Sequence, residues 1–153
     1  MISQKARYAL RALVALARAP EGRPVLTADI ARNEQIPRKF LEQILLELKN
    51  RGIAESRRGK NGGYRLSRRP EEISFAEVLR LIDGPIAPLP CLSLTAYRPC
   101  PDCSDERACE IRRVFAESYE ATLAVLGQRT LADVLRTPAL LDLGQGSPEM
   151  NAA

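Results

Sequence analysis

Residues 27 to 70 carry three successive patterns that leave few folds open. TADIARNE reads as a short helix that Thr27 can cap. After the turn Gln35-Ile36-Pro37, the stretch RKFLEQILLELKN repeats apolar residues at helical spacing, placing Phe40, Leu41, Ile44, Leu45 and Leu48 on one face. Pro37 suits the first position of that helix, where a missing N–H costs nothing, and Gly52 supplies the stop. The alternating stretches IAESR and YRLS then flank RGKNGG as a two-stranded hairpin. Two helices joined by a tight turn and followed by a hairpin predict a winged helix-turn-helix.

The hairpin is strongly basic. Residues 56 to 70 hold six Lys or Arg and no acid, and the helix before them opens with Arg38 and Lys39. Residues 1 to 70 carry 16 Lys and Arg against 6 Asp and Glu, a net +10, whereas residues 71 to 153 carry 7 against 13, a net −6. That partition predicts an N-terminal unit for a polyanion and a C-terminal part with another task. Double-stranded DNA fits better than a membrane, because the cluster lies on a turn-rich hairpin without the apolar face of an interfacial helix.

At 153 residues the chain has room for one domain, or a small domain plus an assembly element. Only 5% of it is aromatic and it has no Trp, so aliphatic residues and Ala must fill the core, which favours a mainly α fold. No apolar run is long enough to span a bilayer, and the opening segment alternates Arg with apolar residues; a cytoplasmic protein is expected. Ser3 can cap a first helix reaching about Ala19, with Ala6, Leu10, Leu13, Val14 and Ala17 inward. Ser74 and Glu77 fit a capping box for SFAEVLRLIDG, stopped at Gly84. The winged unit is thus expected over residues 1–84.

A Pro- and Cys-rich loop over 85–104 follows, without periodicity. From about Asp105 a long helix is expected to Leu126, with Ala108, Ile111, Phe115, Ser118, Thr122 and Val125 on one seam and Val114 and Ala121 beside it. Such a seam needs a partner. A second copy of the chain is the favoured one, since dimers match the two-fold symmetry of most operators; the alternative is packing onto the first helix. A short helix should complete the unit 105–143, and residues 144–153 read as a disordered tail.

In a helix-turn-helix the second helix enters the major groove by its first turns, which makes Arg38, Lys39 and Gln43 the candidate base and phosphate readers. Glu42 could accept from cytosine or support the helix. Thr27, as a cap, would aim backbone N–H groups at a phosphate. In the wing, Arg57, Arg58 and Lys60 stand where a minor groove would pass, with Gly59, Gly62 and Gly63 allowing positive φ and close approach to the sugar-phosphate chain.

The run FLEQILLELKNRGIAESRRGKNGGYRLSRRP, together with QKARYALRALVALA and PEEISFAEVLRLIDGP, closely resembles the winged-helix regulators typified by IscR, NsrR, RirA and CymR. The likeness extends to about residue 136. It implies a homodimeric bacterial transcription factor, usually a repressor, and brings Tyr64, the last residue of the Arg-Gly-x-x-Gly-Gly-Tyr turn, into the DNA-binding set.

Cys91, Cys100, Cys103 and Cys109 form the pattern C-x8-C-x2-C-x5-C, and the chain has no His. Four thiolates are a complete soft ligand set for an iron-sulfur cluster, [2Fe-2S] or [4Fe-4S], or for zinc. They could instead form a thiol/disulfide switch, with Cys100 and Cys103 as the couple, or simply pack. The resemblance implies three cluster ligands in this loop, matched by Cys91, Cys103 and Cys109, and leaves Cys100 as an addition in a lengthened loop. Two other classes fit poorly: a cysteine enzyme lacks a His base, so no enzymatic activity or small-molecule substrate is expected, and a mere structural module would not need the basic hairpin.

Overall fold

A computed structural model describes residues 2–59, 62–103 and 105–136. Helix α1, Gln4–Ala17, is capped by Ser3, whose Oγ accepts from Ala6 N at 3.0 Å. It buries Ala6, Ala9, Ala12, Leu13 and Leu16, while Leu10, Val14 and Ala17 are only half-buried. The inward face is therefore rotated from the expected stripe. Three of its five buried residues are alanines, so residues with little apolar weight in a pattern form much of its inward surface.

Helix α2, Thr27–Asn33, and helix α3, Arg38–Asn50, make the helix-turn-helix. Both end in the same backbone device. Ile36 N donates to Ala31 O at 2.9 Å with Gln35 at φ 51°, and Ile53 N donates to Leu48 O at 2.9 Å with Gly52 at φ 74°. In each case a buried isoleucine follows the left-handed residue and pins the turn to the core. Pro37 is the cap of α3 and Arg38 its first residue. The inner face of α3 is Leu41, Ile44, Leu45 and Leu48, and Phe40 meets Tyr8 edge-on at 5.8 Å.

Strands β1, Ala54–Arg57, and β2, Gly63–Leu66, pair antiparallel with Ala54 opposite Leu66 and Arg57 opposite Gly63. A third backbone segment joins them: Val25 N donates to Tyr64 O at 2.8 Å, and Tyr64 N donates to Val25 O at 2.9 Å. The chain is thus held extended up to Leu26, which caps α2 without a side-chain bond. Thr27 is not the cap but the first helical residue.

Helix α4, Phe75–Asp83, has Ser74 as its cap, with Glu77 N donating to Ser74 Oγ at 3.2 Å. Only this half of the expected capping box forms, because the Glu77 carboxylate pairs with Arg68 at 2.5 Å. Gly84 ends α4 at φ 84°.

Helix α5 spans Glu110–Gln128 and α6 spans Leu131–Arg136. The long helix begins five residues after the expected Asp105. There the Asp105 carboxylate accepts from Arg107 N at 2.8 Å, a local turn that competes with helix, and Ala108 lies in the loop, off the seam. α5 packs on α4 and on the turn Pro90–Leu92, whereas α6 packs on α1. Leu131, fully buried, joins the core of Leu13, Ile30, Leu41, Ile44 and Ile73. The expected continuation to 143 and the tail 144–153 lie outside the described residues.

Candidate nucleic-acid interface and cysteine cavity

The first turns of α3 present Arg38, Lys39 and Gln43 to solvent. Arg38 is already engaged: its Nε donates to Glu42 Oε1 at 3.0 Å, one turn along. The i, i+4 spacing of the two residues carries that signal in the sequence. Lys49 ties the far end of α3 to the wing by donating from Nζ to Ser56 Oγ at 2.8 Å.

The six wing cations are not equivalent. Arg65 pairs with Glu55, Arg68 with Glu77 and Arg69 with Glu72. Glu72 is held below the usual carboxylate range by its hydrogen bond from Arg69. Arg57 and Arg58, at the tip, are exposed and make no ion pair among the described residues. Lys60 lies outside those residues. The wing therefore aims its free charge at the tip and spends its other arginines on the fold.

The glycines serve different needs. Gly59 takes φ 107° in open space, the positive φ expected there. Gly63, at φ 136°, lies against the Val25 carbonyl, where any Cβ would collide, and Gly62 has no positive φ but sits against Arg57 O. At those two positions the fold itself already excludes a side chain. Tyr64 is half-buried and packed against the core. Thr27 is half-buried at the start of α2.

The four cysteines line one cavity of about 450 Å³ between the loop and the first turn of α5. Cys91, in the turn Pro90–Leu92, is 4% exposed, and the other three are half-buried. Arg98 N donates to Pro90 O at 3.2 Å, which folds the lengthened loop back and brings Cys100 beside Cys91. Cys103 N donates to Cys100 O at 3.2 Å. Cys109 caps α5, its Sγ accepting from Arg112 N at 3.4 Å. A hydrogen bond with Cys91 pushes the Cys100 thiol above its ordinary pKa, with burial and the other thiols adding to it, and burial followed by Cys109 does the same to Cys103.

Among the described residues no three His, Cys, Asp or Glu side chains come together closely enough to hold a single metal ion. A cavity lined by four thiols is a different case, since a cluster spreads its ligands over several metal atoms. The donor chemistry fits such a group: soft sulfur ligands, a helix N-terminus behind Cys109, and a guanidinium at the wall.

A family profile described as "Iron-dependent Transcriptional regulator", Rrf2, matches residues 2–137. The chain belongs to the Rrf2 family. A putative rrf2-like transcriptional regulator of Rhodobacter capsulatus is 49% identical over 138 residues, spanning 88% of this chain and 92% of its own. The regulator NsrR of Geobacillus kaustophilus is 35% identical over 134 residues, 88% of each chain. Among solved structures, CymR, the global cysteine regulator of B. subtilis, superposes with a TM-score of 0.75 at 30% identity, covering 90% of this chain and 98% of its own. This Rrf2 protein is thus a winged-helix transcriptional regulator.

Its remaining distinctive surface is on α5. Ile111, Val114, Phe115 and Val125 are 63%, 63%, 43% and 59% exposed, while Tyr119, one turn on from Phe115 at the edge of that seam, is buried. The seam expected from the sequence is laid open to solvent in the single chain, and the main neighbours of α5 are α4 and the turn Pro90–Leu92. Sequence reasoning missed Arg112, which no motif marks; the seam spacing alone hinted that its side of the helix faces inward. No helix among the described residues is long and apolar enough to cross a membrane.

Proposed function

We propose that this chain is a homodimeric bacterial repressor, cytoplasmic and without enzymatic activity, whose operator affinity is set by an iron-sulfur cluster on Cys91, Cys100, Cys103 and Cys109. The observation that carries the reading is the single cavity lined by all four thiols, at the joint between the reading head and the exposed seam of α5. Arg38, Lys39 and Gln43 would enter the major groove, Arg57, Arg58 and Lys60 would hold flanking phosphates, and Thr27 would add a contact from α2.

The cluster would supply a centre whose oxidation state and integrity respond to redox conditions, iron supply or nitric oxide. Cys109 starts α5 and Cys91 lies in the turn on which α5 packs, so ligation would fix the helix against the winged unit. Release of the thiolates would loosen that joint and change the angle between two reading heads, which half-site spacing converts into binding energy. A coupling of about 1–3 kcal/mol changes operator affinity roughly 5- to 150-fold.

The test compares operator affinity of anaerobically prepared protein, assayed for iron and sulfide, with that of the metal-free form. A difference within that range is the expected result, and equal affinities overturn the sensor while leaving DNA binding intact. The second reading is a thiol/disulfide switch, favoured by the close approach of Cys91 and Cys100; iron-free protein whose affinity follows its thiol state selects it. Zinc-loaded, colourless protein would point instead to a structural site.

A further inference from the structure

We infer that Arg112 is a positioning residue for the sulfur ligand set, its buried Nε–H directed to a sulfur atom of the cluster proposed above. This rests on the cluster reading and adds to it a residue outside the four ligands. Arg112 Nε is shut off from solvent, and among the described residues no hydrogen-bond partner satisfies it. Its nearest carboxylate oxygen, on Glu106, stands 3.7 Å away, beyond hydrogen-bond reach, while the other oxygen of Glu106 accepts from the Tyr97 hydroxyl. An unmet buried donor is unfavourable enough that native proteins seldom keep one without a use.

The surroundings say what the missing acceptor is. Arg112 is the one cation among the described residues lining the cysteine cavity, facing four thiols and the carboxyl groups of Asp102 and Asp105. Its own backbone N–H donates to Cys109 Sγ at 3.4 Å, so one donor of the residue already meets a sulfur of the set. An iron-sulfur core carries less positive charge than four thiolates carry negative, so the ligated assembly is an anion. A guanidinium beside it offsets that charge and stabilises the reduced, more negative form most.

The test is the midpoint potential of the cluster in full-length protein reconstituted without oxygen, for wild type, Arg112→Gln and Arg112→Lys. Arg112→Gln is expected to disfavour reduction at least tenfold, a drop of about 59 mV for one electron. Arg112→Lys, with the charge but not the planar donor, should recover part of the shift. Glu106→Gln should move the potential upward, whereas a mere Arg112–Glu106 structural pair would make both variants lose helicity together and leave the potential alone. An unchanged potential in Arg112→Gln, or no recovery in Arg112→Lys, overturns the assignment. Should Arg112→Gln lose its fold by circular dichroism, Arg112→Lys decides: a folded protein with an intermediate potential supports the inference, and unfolding of both overturns it. Wild-type protein that takes up no iron or sulfide overturns the cluster reading itself, and this inference with it.

Discussion

Arg38 and Glu42 face each other across one turn of α3, Nε to Oε1 at 3.0 Å, so the first arginine of the reading helix is oriented by a carboxylate before any DNA arrives. An exposed pair of this kind is worth about 0.3–0.5 kcal/mol, whereas a bidentate arginine–guanine contact discriminates by about 1–3 kcal/mol. If Arg38 reads a base, the pair would yield easily to it. Arg38→Ala is expected to weaken operator binding by that larger amount and to relax preference at one position per half-site. Glu42→Ala, which removes a negative charge from the groove, should strengthen binding to unrelated sequence. Titrations against operator and scrambled duplex check both.

The wing makes a prediction about salt. Each phosphate contact contributes about −0.9 to the slope of log affinity against log salt, so Arg58→Ala should flatten the slope by about 1.8 in a dimer that uses both copies. Arg69→Ala should flatten it less, because Glu72 already engages that guanidinium. Equal changes for the two variants would mean that ion pairing within the fold does not decide which cations reach DNA.

Two wing glycines separate turn strain from steric collision. Gly59→Ala meets nothing within 4 Å and pays only for its positive φ, of order 1–3 kcal/mol. Gly63→Ala adds an overlap with the Val25 carbonyl and should cost more, breaking the bonds between Val25 and Tyr64 that brace the wing. Urea denaturation of the two variants gives the order.

The helix-turn-helix and wing were legible because each rests on local signals: the apolar period of α3, Gly52 at its end, and alternation around a glycine turn. What escaped was set by distant contacts. Nothing near Thr27 reveals that Tyr64 holds Val25 extended and moves the cap to Leu26. Nor does the basic run announce that Glu55, Glu72 and Glu77 neutralise half of it. The start of α5 was misread because helical spacing runs back through Ala108, while the Asp105 turn defers the helix to Glu110. The four cysteines stood out by their spacing, but the Arg98–Pro90 bond that folds the loop back and the presence of Arg112 at the cavity wall are encoded in no spacing.

If α5 pairs with a second copy, its exposed seam is the weak point for assembly. Phe115→Asp replaces an apolar side chain whose burial is worth about 1.5–3 kcal/mol by a charge that would have to be desolvated. Sedimentation should then report a monomer with a wild-type circular dichroism spectrum, and operator affinity should fall because two half-sites are no longer held together. A Phe115→Asp protein that sediments as a dimer would rule out this face.

Thr130 and Asp133 bond to each other where α5 gives way to α6. Thr130 N donates to Asp133 Oδ2 at 2.8 Å, and the segment is stitched to α4 by Phe75 N donating to Arg129 O and Leu131 N donating to Ile73 O, both at 3.0 Å. Hydrogen bonds from the Thr130 backbone and side chain hold the Asp133 carboxyl below its ordinary pKa of 3.8. Because the folded value is the lower one, this carboxylate stabilises the fold fully above the ordinary aspartate range, and its contribution fades as pH falls through the depressed value. Asp133→Ala should therefore melt at lower temperature than wild type at pH 7, with the gap narrowing as pH drops below about 4. If α6 is the joint that passes the state of the cavity to the wing, the same variant should also shrink the ratio of operator affinities between cluster-bound and metal-free protein. A lowered melting temperature with an unchanged ratio would show that the coupling runs instead through α4 and its contact with α5.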